Sequence, residues 1–184
     1  MSLDIRNNSG GFNCCAGALV SLFTDQKKLL SSFGYEDRNG YHNKMDEYIF
    51  PDGRYKAFHA VVLVNQKCMS AGDALAKYLG ACENVTLMGY TASSGVNQNI
   101  GGYIYLPDGI CIRYPVNLSL SEEGVPLIDT DETRENRIPL EAVIPMTEER
   151  ALQLFNYRKV LDFNFDDTEL EYAVRYLEQN SIPE

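Results

Sequence analysis

The sequence predicts an α/β domain whose sheet is largely parallel. Three observations carry that prediction. Two short apolar runs, residues 59–64 (His-Ala-Val-Val-Leu-Val) and 85–89 (Val-Thr-Leu-Met-Gly), have the length and β-branched content of strands covered on both faces. Between them Ala71, Ala74, Leu75, Tyr78 and Leu79 fall on one helical stripe. Short turns join these segments, the strand–helix–strand order of parallel pairing.

Taken in order, residues 3–6 read as a strand. It stops at Asn7-Asn8-Ser9-Gly10-Gly11, a turn rich in residues that tolerate positive φ. Residues 12–23 place Ala16, Leu19, Val20 and Phe23 at helical spacing. Residues 31–55 are polar, with Gly34, Gly40, Pro51 and Gly53 and no sustained period, and are expected to form a long surface loop or a weak hairpin. After the 59–64 strand, residues 65–69 connect to a helix that Ser70 opens and Gly80 is placed to end. Thr91-Ala92-Ser93-Ser94-Gly95 follows the next strand as a turn without a large side chain. Residues 101–106 and 110–116 flank Pro107-Asp108-Gly109 as a hairpin. Residues 119–137 are polar and acidic, and are expected to be a loop. Thr147 is placed to cap a helix with Glu148, Glu149 and Arg150 in its first turn. Residues 168–178 form a last amphipathic helix. The seven acids and single base of residues 161–184 read as a solvated face.

At 184 residues the chain has one domain's worth of polypeptide and can bury roughly 70% of its unfolded surface. Sixteen Lys and Arg against 26 Asp and Glu give a net charge of −10, which nucleic-acid phosphates would repel. No apolar run approaches the 18 or so residues of a membrane span. Five cysteines without a C-x-x-C pair point to small buried side chains, so no metal site and no cofactor is expected. The opening Met1-Ser2-Leu3-Asp4-Ile5-Arg6 lacks signal-peptide features and already reads as the end of a strand. The expectation is therefore a fragment truncated at its N-terminus, its compartment left open. A core would span residues 3–147 and a helical segment residues 148–184.

In parallel sheets the site lies beyond the carboxyl ends of the strands. Three loops fall there: residues 7–11, 65–70 and 91–95. Ser70 admits two readings. With Asp73 three residues on, it is a variant of the capping box. Alternatively its hydroxyl, at the positive end of the helix dipole, is a nucleophile with free amides beside it. Those amides could hold a tetrahedral oxyanion if the Gly10-Gly11 loop lends another donor.

These residues carry a resemblance. Asp4-Ile5-Arg6-Asn7-Asn8-Ser9-Gly10-Gly11 resembles the D-L-R-x-N-x-G-G motif of the carboxy-terminal processing (tail-specific) proteases, S41 serine peptidases and clan-mates of tricorn protease. Val64-Asn65 leading into Cys68-Met69-Ser70-Ala71-Gly72-Asp73 is similar to that family's N-x-x-S-A-S-A-x-E block, whose second serine is the nucleophile. Gly89-Tyr90-Thr91 is similar to its G-x-x-T turn, Leu106-Pro107-Asp108-Gly109 to its L-P-D-G hairpin, and residues 138–145 occupy the place of its P-D-I-x-V-P ending. The likeness spans residues 3–147 in the right order. It implies a ClpP/crotonase-like ββα core and peptide-bond hydrolysis through Ser70, with the oxyanion held by the Ala71 amide and the Gly10-Gly11 loop. The partner so implied is a peptide or protein substrate, and a homo-oligomer is compatible with it.

One departure matters. The Ser-Lys branch carries a lysine base near the position of Ser94, but between Lys77 and Arg113 this chain has no lysine, arginine or histidine. A serine is a weak nucleophile without a base. His59 begins the strand that leads to Ser70 and should lie on the order of 20 Å away. His42 sits in the 31–55 stretch and Lys67 is expected to face water. The tricorn-like branch takes its histidine from a segment upstream of D-L-R-x-N, helped by a second serine and a glutamate. By that resemblance Ser94 or Ser93 fills the serine role and Glu122 or Glu123 the carboxylate role, with the base supplied from outside the chain. The competing readings are a catalytically inactive peptide-binding module on the same fold and, on fold analogy alone, an acyl-thioester enzyme. A dinucleotide site is disfavoured, because Gly10, Gly11 and Gly17 do not make G-x-G-x-x-G.

Overall fold

The computed structural model describes residues 1–95, 100–121, 123–124, 138–155 and 167–180. Strands β1 (Ser2–Asp4), β4 (Ala60–Leu63), β5 (Val85–Gly89) and β9 (Ala142–Val143) form one sheet, in that spatial order and parallel throughout. Every residue of β4 and β5 is buried. Val62, Val64, Val85 and Leu87 face helices α1 (Asn13–Ser21) and α2 (Ala71–Gly80), where they join Ala16, Val20, Leu75 and Leu79. Val61, Leu63 and Met88 face the other way, onto Ile144 and Ala173 of α4 (Thr168–Asn180). Cover on both faces is why these strands do not alternate apolar with polar; the one polar side chain in them, Thr86, is buried and bonded to His59. Each fully buried Val or Leu contributes roughly 1.5–3 kcal/mol.

The 31–55 stretch is a hairpin and not a loop. β2 (Lys28–Asp37) and β3 (Gly40–Ile49) pair antiparallel, and β8 (Leu118–Leu120) pairs with the other edge of β2. Two register shifts, at Leu29/Ser31 and Phe33/Tyr35, break the period-2 signal. The buried Ser31 and Ser32 also hide the strand: they read as polar, yet their hydroxyls donate across the pair to Glu47 and Asp46, each at 2.7 Å. The expected hairpin is present as β6 (Ile100–Tyr105) and β7 (Cys111–Pro115), with Asp108 and Gly109 at φ 67° and 77° in its tight turn.

Helix α2 ends at Gly80 without a left-handed cap, since Ala81 continues in right-handed geometry. Gly80 is needed for close packing instead: a Cβ there would stand 2.8 Å from Leu87 Cδ1. Thr147 caps α3 (Glu148–Phe155), its Oγ1 accepting the Arg150 amide at 3.2 Å. The acidic run is only partly a solvated face. Arg6 donates to Asp4, to Asp167 at 2.9 Å and to the buried Glu169 at 2.6 Å, tying α4 to the end of β1. Burial works against the Arg6 charge, but these hydrogen bonds outweigh it and raise its pKa above the ordinary value. Asp167 is the complement. Burial pushes it up, while hydrogen bonds from Arg6 and the Leu170 amide, with the Arg6 and Arg150 charges, bring it below its usual range.

Candidate active site

The chain leaves β4 through Asn65 and reaches α2 by two successive turns, the first closed by the Cys68 amide on the Asn65 carbonyl at 2.9 Å. The Gly72 amide donates to the Met69 carbonyl at 2.9 Å, closing a four-residue turn with Ser70 in second place. Ser70 has φ 54° and ψ −127°, a conformation that L-residues avoid and glycine tolerates. Its side chain makes no capping hydrogen bond, so the capping-box reading fails. Asp73 does not reach back to it either: its Oδ1 accepts the Gly95 amide at 3.1 Å. A residue held at about 1–3 kcal/mol of strain and left half-exposed does something other than stabilise its helix.

The 7–11 loop closes against this turn. Asn8 anchors it twice, its carbonyl accepting the Met69 amide and its Oδ1 accepting the Gly10 amide, both at 3.0 Å. Asn65 braces the other side, its Oδ1 accepting the Asn7 amide at 3.0 Å and its Nδ2 donating to Asn7 Oδ1 at 3.2 Å. Gly10, at φ +102°, is pressed onto the serine. A Cβ on it would lie 2.7 Å from Ser70 Cβ, 2.8 Å from the Met69 carbonyl oxygen and 3.1 Å from the Ala71 amide. Gly11 opens to free space, with nothing within 4 Å of where its Cβ would be. The Gly11 and Ala71 amides donate to no backbone or side-chain group among the described residues.

The 91–95 turn forms the third wall, stapled by one side-chain and one backbone hydrogen bond. The Gln66 amide donates to Thr91 Oγ1 at 3.1 Å and the Ser94 amide to the Cys68 carbonyl at 3.0 Å. Ser93 is fully buried and its Oγ lies beyond bonding distance of any partner among the described residues. Its nearness is still felt at Asp73. Burial raises that carboxyl above its usual range, and the Ser93 hydroxyl, the Gly95 amide and the Lys77 charge only partly lower it. Lys77, one helical turn on, is lowered by burial against the pull of Asp73.

The structure thus brings Ser70, Gly10, Gly11 and Ala71 together and ties the backbone of Ser94 to the segment before Ser70. Glu123 is exposed, its Oε2 accepting the Ser121 hydroxyl at 2.7 Å. Glu122 lies outside the described residues. His59 sits at the far end of β4, its Nε2 bonded to Thr86 Oγ1 at 3.1 Å, and Lys67 is exposed. His42 falls on β3 opposite Tyr35. Cys68, next to the site, is a buried thiol donating to the Ile5 carbonyl at 3.1 Å, and burial pushes its pKa up. Asn8 and Asn65 stand in the quoted motifs without a role, and the structure supplies one. Their signal was present as asparagines bracketing the glycine corner and the end of a buried strand. No group of three or more metal-ligating side chains occurs among the described residues, and no described helix is long and apolar enough to cross a membrane.

No curated protein matches the chain. Solved structures do. A candidate peptidase from Parabacteroides merdae superposes with a TM-score of 0.68 at 20% identity, over 96% of this chain and 51% of that one. The photosystem II D1 C-terminal processing protease gives 0.52 at 23% identity, over 78% and 34%. Tricorn protease gives 0.58 at 16% identity, over 97% and 15%. The chain therefore spans about half or less of the length of these neighbours, and at such identities they show the fold: a parallel sheet flanked by helices, the ClpP/crotonase-like core. The family model for peptidase family S41 matches residues 2–135, the stretch that holds the glycine corner, the strained serine and the stapled turn, and the chain belongs to that family.

Proposed function

We propose that this chain is the catalytic core of a serine peptidase, with Ser70 as its nucleophile. The observation that carries the proposal is the strained Ser70 turn pressed against Gly10. A sharp strand-to-helix turn holds the hydroxyl out of the helix and toward a substrate carbonyl. Attack forms the Oγ–C bond and passes the hydroxyl proton to a base. The oxyanion then accepts from preorganised backbone donors. The Gly10 amide is engaged by Asn8 Oδ1, so Gly10 supplies the space and the amides of Gly11 and Ala71 supply the donors. Collapse expels the amine with the proton, and water hydrolyses the acyl-serine by the same path in reverse.

The base comes from polypeptide outside this chain, as the tricorn-like resemblance implies. Support is the empty lysine position and His59 occupied at the opposite end of β4. Ser94 is assigned the second-serine role and Glu123 or Glu122 the carboxylate role. Residues 1–184 are assigned to one catalytic unit, a core over 3–147 with a helical segment over 148–184; support is Ala173 of α4 packed against the sheet and Arg6 bonded to Asp167 and Glu169. The substrate is a peptide or protein, and a homo-oligomer is compatible with this reading, which sedimentation would test. A fluorophosphonate probe tests the central assignment on this chain and on its native full-length polypeptide. Labelling is expected on Ser70 and lost in Ser70→Ala; undiminished labelling of the alanine variant overturns it. Absence of labelling in both polypeptides favours the inactive peptide-binding module, the reading that the missing lysine supports.

A further inference from the structure

The β6–β7 hairpin carries apolar surface that the rest of the described structure leaves open. Seven large side chains between Tyr103 and Tyr114 are 41–75% exposed. No third strand pairs with either edge among the described residues. A two-stranded hairpin is marginally stable in water unless something covers one of its faces. Alternation along the strands, with the pairs Ile104↔Ile112 and Tyr105↔Cys111, sorts the side chains. One face holds Ile104, Leu106, Ile110, Ile112 and Tyr114; the other holds Tyr103, Tyr105, Cys111 and Arg113. The second face suits water. Its two tyrosines stack with ring centroids 6.4 Å apart and bring hydroxyls, and Arg113 brings a charge. The first has a single polar side-chain atom, the Tyr114 hydroxyl, and is flat because the Tyr114 ring lies in the space that a Cβ on Gly102 would need.

We infer that the isoleucine face is a homodimer contact, in which two copies of this chain pack Ile104 and Ile112 together about a two-fold axis. Three observations single out a second copy as the occupant. The face is self-complementary, with no charge to repel its own image, as a two-fold contact requires. The hairpin, residues 100–116, has one Asp and one Arg and is neutral in a chain of net charge −10, so copies approach here with the least repulsion. The area also fits. Five large side chains, each about half open, present on the order of 450 Å² per copy. A pair then buries about 900 Å², at the low end for specific contacts and enough for a weak, reversible dimer of micromolar affinity. The contact goes beyond the peptidase reading and asks nothing of Ser70.

Sedimentation velocity of the native full-length polypeptide and of this chain tests the contact. Between about 1 and 200 µM the mean mass is expected to rise from one copy towards two in both. Ile104→Asp should weaken the dimer by about 30-fold or more, as loss of a central apolar contact does, while Tyr105→Asp on the opposite face leaves it within about twofold. Both variants should melt as cooperatively as wild type at the lowest concentration, which separates dissociation from unfolding. Hydrogen exchange of the wild-type protein needs no variant: amides of residues 102–105 should exchange about tenfold more slowly at the highest concentration than at the lowest. If Ile104→Asp fails to fold, that exchange measurement decides alone. A mass fixed at one copy, with exchange independent of concentration, overturns the dimer. So does a full-length polypeptide that stays monomeric while this chain pairs, because the face is then covered within its own polypeptide. Equal weakening by the two substitutions overturns the assignment to the isoleucine face.

Discussion

Gly10→Ala is the perturbation that tests the site's architecture most directly. At φ +102° an alanine is held in a conformation costing on the order of 1–3 kcal/mol. Its methyl would also meet Ser70 Cβ at 2.7 Å and the Met69 carbonyl oxygen at 2.8 Å, closer than real contacts, and neither neighbour is the free end of a flexible side chain. Relief must come from moving the 7–11 loop or the Ser70 turn, an overpacking cost of roughly 1–3 kcal/mol. Together the two effects predict a loss of about 2–6 kcal/mol, or roughly 4–24 °C in Tm for a chain of this size. The displacement also separates the serine from its backbone donors, and a misplacement of about 1 Å costs on the order of 100-fold in rate. Thermal unfolding and fluorophosphonate labelling of the same preparation measure both. Gly11→Ala is the control. It meets no atom within 4 Å, so it should cost only the conformational strain, about 1 kcal/mol. A Gly10→Ala variant that melts within 2 °C of wild type and labels within twofold would refute the close approach on which the site is built.

Two further outcomes follow from other parts of the structure. Ser70→Gly should abolish labelling yet raise the urea midpoint, because glycine accepts φ 54° without strain; a gain of about 1 kcal/mol is expected, and a fall in stability would show that the turn is not strained. Asp167 has a pKa below its ordinary 3.8, so its contribution is fully present above that value and is lost as pH falls through the lower, folded-state pKa. Urea unfolding between pH 7 and pH 2 should therefore show Asp167→Asn less stable at neutral pH and flatter on the acid side, and parallel curves for the two proteins would count against the Arg6 clamp.

The elements differed in how openly the sequence declared them. β4 and β5 were legible because strands buried on both faces need mostly apolar residues without alternation, and that need shows in one dimension. So was the turn after β1, since only glycine and asparagine supply its backbone angles. The β2–β3 hairpin was offered only as an alternative to a loop, because its buried Ser31 and Ser32 are satisfied by Glu47 and Asp46 on the neighbouring strand, partners that no local window contains. The Ser70–Asp73 spacing pointed to a capping box for the same reason. The carboxylate goes instead to Gly95, 22 residues away, an alternative visible only once the 91–95 turn has folded against α2.

By itself the sequence determined the parallel α/β core, the three loops at the strand ends and the serine that stands among them, since hydrophobic burial and backbone permissiveness are written residue by residue. The tertiary structure alone decided that Ser70 is strained and uncapped, that Gly10 is pressed against it, that Asn8 and Asn65 brace the corner, and that Asp167 and Glu169, flanking the start of the last helix, close on Arg6. Those are relations between segments far apart in the chain. They arise from packing in three dimensions, where a hydrogen-bond donor takes whichever acceptor the fold delivers.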